Sequence, residues 1–112
     1  VSAFLVRRDA DGILHLQGEL VARDLPGFLE CLAAELQADV MGNITLDLAE
    51  LDLLDATAVI GLLERLRGLA DSGRTVVVRH APQNLAHSLY RVGALSHPGL
   101  QLVEPREEEP YG

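Results

Sequence analysis

Residues 43–80 change hydrophobic period twice, and that switch limits the possible folds more than any other feature of the chain. In "NITLDLA" (43–49), Ile44, Leu46 and Leu48 alternate with Thr45 and Asp47, the two-residue period of a half-buried strand. From about Ala56 to Ser72, Val59, Ile60, Leu63, Leu66, Leu69 and Ala70 recur at helical spacing, which predicts a helix stopped by Gly73. "RTVVVRH" (74–80) is then a continuous β-branched run, expected of an interior strand covered on both faces. A strand, one helix and a second strand imply a right-handed parallel crossover.

The same pattern continues on both sides. "AFLVR" (3–7) and "ILHLQG" (13–18) read as strands of an antiparallel hairpin around the turn "DADG" (9–12). Asp24 is placed to cap a helix over 25–39, with Pro26 in its first turn. Leu25, Phe28, Leu29, Leu32, Ala33, Leu36 and Val40 form its apolar face, and "MGN" ends it. A third helix, "QNLAHSLYRV" (83–92), lies between Pro82 and Gly93, and "GLQLVE" (99–104) offers a last short strand. The order β-β-α-β-α-β-α-β predicts one α/β domain over residues 1–104, a small mixed sheet with helices packed mainly on one face. The acidic segment "PREEEPYG" (105–112) has no apolar face to bury and is expected to be disordered.

Charge and composition exclude several functions. A net charge of −8 argues against nucleic acid and anionic lipid as direct partners. No apolar run is long enough to span a membrane and no signal-peptide pattern opens the chain, so a cytoplasmic location is expected. The single Cys31 cannot form an internal disulfide, and its setting among Leu29, Leu32 and Ala33 predicts buried packing. His15, His80, His87 and His97 fall on separate elements without a partnering cysteine set, which argues against a metal site. There is no GxSxG elbow and no Gly-rich phosphate loop, so neither catalysis nor a cofactor is expected. Receiver domains are similar in size and element order, but they depend on a lysine near the last strand. All nine basic residues here are arginine.

Asp55 and Thr57 stand where a strand hands over to a helix, the place where open α/β sheets put their sites. Read from the residues alone, they are capping groups for free backbone amides. The surrounding blocks add to that. "GELVARDLPGFLECLAAEL", "ITLDLAELDLLDATAVIGLLERLRGLADSGRTVVVRHAP" and "LYRVGAL" together resemble the STAS domain of anti-sigma-factor antagonists over about residues 3–104. That family carries a "GEL/GEI" after the second strand and an Asp-Ser-Ser-Gly block at the start of the second helix.

The resemblance implies a protein-binding regulator with no catalytic residues. The family's phosphoacceptor serine falls on Thr57 and its acid on Asp55. The implied partner is an anti-sigma factor with an ATP-binding serine/threonine kinase fold. The implied contact surface is Asp55, Ala56, Thr57, Ala58, Gly61, Glu64 and Arg65, with Gly61 and Gly68 marking a face that a partner backbone approaches. STAS domains also serve as subunits of ABC-type lipid transporters, and the alternative partner is the transporter ATPase, with no phosphorylation switch. Two positions depart from the family: Ala56 lacks the first hydroxyl, and Ala58 replaces a glycine, so its methyl group is expected to stand in a partner's way.

Overall fold

Alternating burial along the strands shows how the molecule is layered. The computed structural model describes residues 4–37 and 42–103. Its five strands, β1 (Phe4–Arg8), β2 (Leu14–Leu20), β3 (Asn43–Leu53), β4 (Thr75–Arg79) and β5 (Leu100–Val103), lie in the order β1-β2-β3-β4-β5. β1 and β2 form the expected antiparallel hairpin, and every other neighbouring pair is parallel. Helices α1 (Leu25–Gln37), α2 (Ala56–Asp71) and α3 (Gln83–Arg91) make the three crossovers.

Leu14, Leu16, Ile44, Leu46, Leu48, Val76 and Val78 are buried against the helices. Their in-between neighbours His15, Gln17, Thr45, Asp47, Val77 and Arg79 line the other face and are only half-buried. β4 is therefore covered on one face, not two; the β-branched run reflects its interior position between β3 and β5. With few aromatic residues, the core is mostly leucine, and Phe28 supplies the one buried ring among the described residues, edge-on to Phe4 with centroids 5.5 Å apart.

β3 runs four residues past its expected end, through a bulge. Leu14 pairs with Leu46 and His15 with Asp47, but Gln17 pairs with Glu50, so β3 holds one extra residue. The inserted residue explains a parity change in the sequence: buried leucines fall on even positions up to Leu48 and on odd positions at Leu51 and Leu53. Without the bulge, Leu51 and Leu53 would point away from the core. The Asp47 carboxylate accepts the Ala49 N–H at 2.9 Å and holds the bulge.

Other expectations need correction. Asp24 does not cap α1: it ends a short 3₁₀ turn (Ala22–Asp24) that runs into the helix, and its carboxylate accepts the Val21 N–H. The "GEL" block lies inside β2, not after it. Cys31 is exposed. On α2, Leu62 takes the inner place assigned to Ile60, which is 55% exposed and sits about 100° round the helix from Val59. Helix α2 ends as expected, at Gly73 with φ +95°. Val40 and the tail from residue 104 onward lie outside the described residues. No helix among the described residues is long and apolar enough to cross a membrane.

Gly61 has an internal explanation. A Cβ built there would fall on Leu25 Cδ2, so the missing side chain lets Leu25 lie directly on α2. The close approach assigned to a partner backbone is taken up by the chain itself. Gly61→Val is expected to cost about 1–3 kcal/mol through overpacking, measured by urea denaturation. Gly68 has nothing within 4 Å, and nothing in the structure explains it.

Candidate functional site

The parallel strands β2 and β3 deliver their C-terminal ends to one rim of the sheet, where α2 and α3 begin. Asp55 organises that rim. It is the N-cap of α2, with extended backbone (φ −141°, ψ 166°), and its Oδ1 accepts the Ala58 N–H at 2.8 Å. Its Oδ2 accepts the Ala22 N–H at 3.0 Å, which ties the turn after β2 to the start of the helix. The Leu54 N–H donates to Leu20 O at 2.8 Å and joins the same two strand ends. Asp55 thus ties the turn after β2 to the helix start that carries Thr57.

The Ala22 N–H, then the Ala58 N–H, and finally that of Thr57 hold the Asp55 carboxyl below its ordinary value of 3.8. Asp9 is lowered chiefly by its bond to His15. For Asp47, burial pushes upward, but the Ala49 N–H and His80 together prevail and lower it. A carboxyl lowered in the folded state stabilises the fold above its unfolded pKa, and that contribution disappears as pH falls through the folded one. The melting temperature is therefore expected to hold steady down to about pH 5 and to drop below about pH 4. Asp55→Asn should flatten part of that acid limb, read by thermal denaturation across pH 2–7.

Thr57 occupies the second position of α2 and is exposed. Ile60 and Glu64 follow on the same outward face, at three- and four-residue steps, and both are exposed. Ala56 and Arg65 are exposed on either side. Ala58 is different: it is fully buried, with its methyl group in the core beneath the helix start. It does not belong to the contact surface, and its methyl group cannot obstruct a partner.

A groove that the residue pattern alone does not announce opens next to the start of α2. Between α2 and α3 lies a cavity of about 340 Å³ lined by Leu53, Leu54, Asp55, Ala56, Val59, Ile60, Asn84 and Ser88. Leu54, 54% exposed, and Ile60 supply its exposed apolar side chains. Asn84 donates to Leu53 O at 2.8 Å and fixes the start of α3 against the end of β3. The sequence carries only an indirect signal: Ile60 does not fit the inner stripe, and Leu54 directly precedes the cap. Among the described residues, no group of three or more His, Cys, Asp or Glu side chains is arranged to hold a metal ion.

Residues 3–104 match the family model described as "Mlab, STAS domain". The chain belongs to the STAS domain family. The match covers every described strand and helix, and the mixed five-stranded sheet with three helices agrees with it. A search of curated proteins gave no match. Membership assigns this STAS domain a regulatory role exercised through protein–protein contact, and the rim around Thr57 combines an exposed helix start with an apolar groove.

Proposed function

We propose that this STAS domain is an anti-sigma-factor antagonist that docks through the start of α2 on an anti-sigma factor with a serine/threonine kinase fold. Thr57 is its phosphoacceptor and its switch. The observation that carries this reading is the exposed Thr57 beside the apolar side chains of Leu54 and Ile60. Desolvating those two side chains in a partner's interface supplies binding energy, about 25 cal/mol per Å² of apolar surface covered.

A phosphate on Thr57 adds about −1.5 to −2 charges. At the helix N-terminus the dipole favours an anion by about 0.3–1 kcal/mol, so the fold tolerates it. Both Asp55 oxygens are already engaged by backbone amides, so the acid stays ionised beside the new charge. A packed interface must then desolvate two neighbouring anions, and the complex fails while the domain stays folded. Incubation with ATP and a kinase-fold anti-sigma factor from the same genome should label the chain, and Thr57→Ala should abolish the label. Labelling that survives Thr57→Ala refutes the assignment.

A second reading has specific support. Ala56 leaves Thr57 as the sole hydroxyl of residues 55–58, while the buried Ala58 keeps the helix start fully packed. Those features suit a permanent docking subunit on the ATPase of an ABC-type lipid transporter, in which Thr57 is only a surface residue. Co-purification with such an ATPase, with no kinase labelling the chain, decides for this reading.

A further inference from the structure

Asp47 stands between two imidazoles on the uncovered face of the sheet. Its Oδ1, which also accepts the Ala49 N–H of the bulge, lies 3.2 Å from His80 Nδ1. Its Oδ2 lies 3.9 Å from His15 Nδ1, and His15 Nε2 meets Asp9 Oδ2 at 2.7 Å. Asp9 and His15 of the first hairpin, Asp47 of β3 and His80 after β4 thus meet in succession.

His15 reaches Asp47 by register, because the two residues are directly opposite on β2 and β3. His80 has no such excuse. Strand alternation turns Val76 and Val78 toward the helices and would send residue 80 the same way. Instead His80 has φ +56°, the only positive value among the described non-glycine residues, and its imidazole meets Asp47 on the opposite face. The left-handed region is unfavourable for a residue with a side chain, and such a conformation persists only where its surroundings hold it. Directly after it come the buried Ala81, then Pro82 and the first turn of α3. That turn carries Asn84, which bonds Leu53 O and lines the groove.

We propose that Asp47 and His80 form a latch: their bond sets the left-handed step that aims the chain out of β4 and fixes the first turn of α3. His80 is thus a positioning residue for the groove wall. Its consequence for docking rests on the function proposed above, whereas the latch itself does not.

The test uses the chain alone and reads amide exchange at Ala86, whose N–H donates to Pro82 O at 2.9 Å in the first turn of α3. His80→Gly adopts the left-handed step freely and removes the imidazole. The latch predicts exchange at Ala86 about tenfold faster in this variant, the change expected on losing one charge-assisted hydrogen bond. Asp47→Ala should speed it as well, and in the double variant the two effects should fall short of their sum, because the shared Asp47–His80 bond is lost only once. Unchanged exchange in His80→Gly, with a raised melting temperature from relieved strain, overturns the proposal. So does a double variant in which the two effects simply add. Because no partner is present, failure of the latch is read separately from failure to dock.

Discussion

Thr57→Glu is expected to weaken binding to the proposed kinase-fold partner at least 100-fold while leaving the melting temperature within a few degrees of wild type. The two halves of that prediction have different causes. In the isolated domain the carboxylate sits exposed at the N-terminus of α2, where the helix dipole makes negative charge mildly favourable. In the proposed complex it would be buried against the partner at the start of α2, near the ionised Asp55. An unpaired buried charge costs about 3–5 kcal/mol, and each 1.4 kcal/mol is about tenfold in affinity. Isothermal titration with wild type, Thr57→Glu and Thr57→Ser separates charge from shape. The serine variant keeps the hydroxyl and should bind like wild type.

The largest stability effect is expected at Phe28. Its ring is fully buried, meets Phe4 edge-on, and seals α1 against the hairpin. Among the described residues no other buried aromatic side chain can fill the space, and the rest of the core is aliphatic. Phe28→Ala should therefore cost about 3–5 kcal/mol, a large part of the roughly 5–15 kcal/mol available to a domain of this size. Urea denaturation should show a lowered midpoint with an unchanged slope. Phe28→Leu, which keeps most of the volume, should lose considerably less. Phe4→Ala should also lose less, because Phe4 is only partly buried.

Local pattern revealed the element order because each element shows a clear period. The helix over Ala56–Asp71 and the strand beginning at Asn43 both follow from spacing alone. What spacing missed has a common cause: one residue out of phase. The bulge at Asp47–Ala49 shifts every later residue of β3 to the opposite face, so a strict two-residue period ended the strand too soon. His80 breaks alternation through one left-handed step, which is why histidines that look scattered in sequence converge on Asp47.

At the site, the Asp55 cap was legible because a cap has a fixed relation to the helix it starts; Thr57, read as a second capping group, is instead the second residue of α2, and the cap bond to Ala58 comes from Asp55. The place of Ala58 was not legible, because inner and outer positions lie one residue apart at a helix start. Only the packing under α2 shows that Ala58 faces inward while Ala56 and Thr57 face outward. Gly61 illustrates the same limit. A glycine on an outward-looking face suggested a partner's backbone, but Leu25, far away in sequence, occupies the space.

The central claim is that the rim formed by the start of α2 and the groove against α3 is where this domain meets its partner. Hydrogen exchange of the domain, free and bound to a kinase-fold anti-sigma factor, tests it most directly. Protection is expected to concentrate in residues 53–64 and 84–88. Protection confined to the uncovered face of the sheet, with residues 53–64 exchanging as in the free domain, would contradict it.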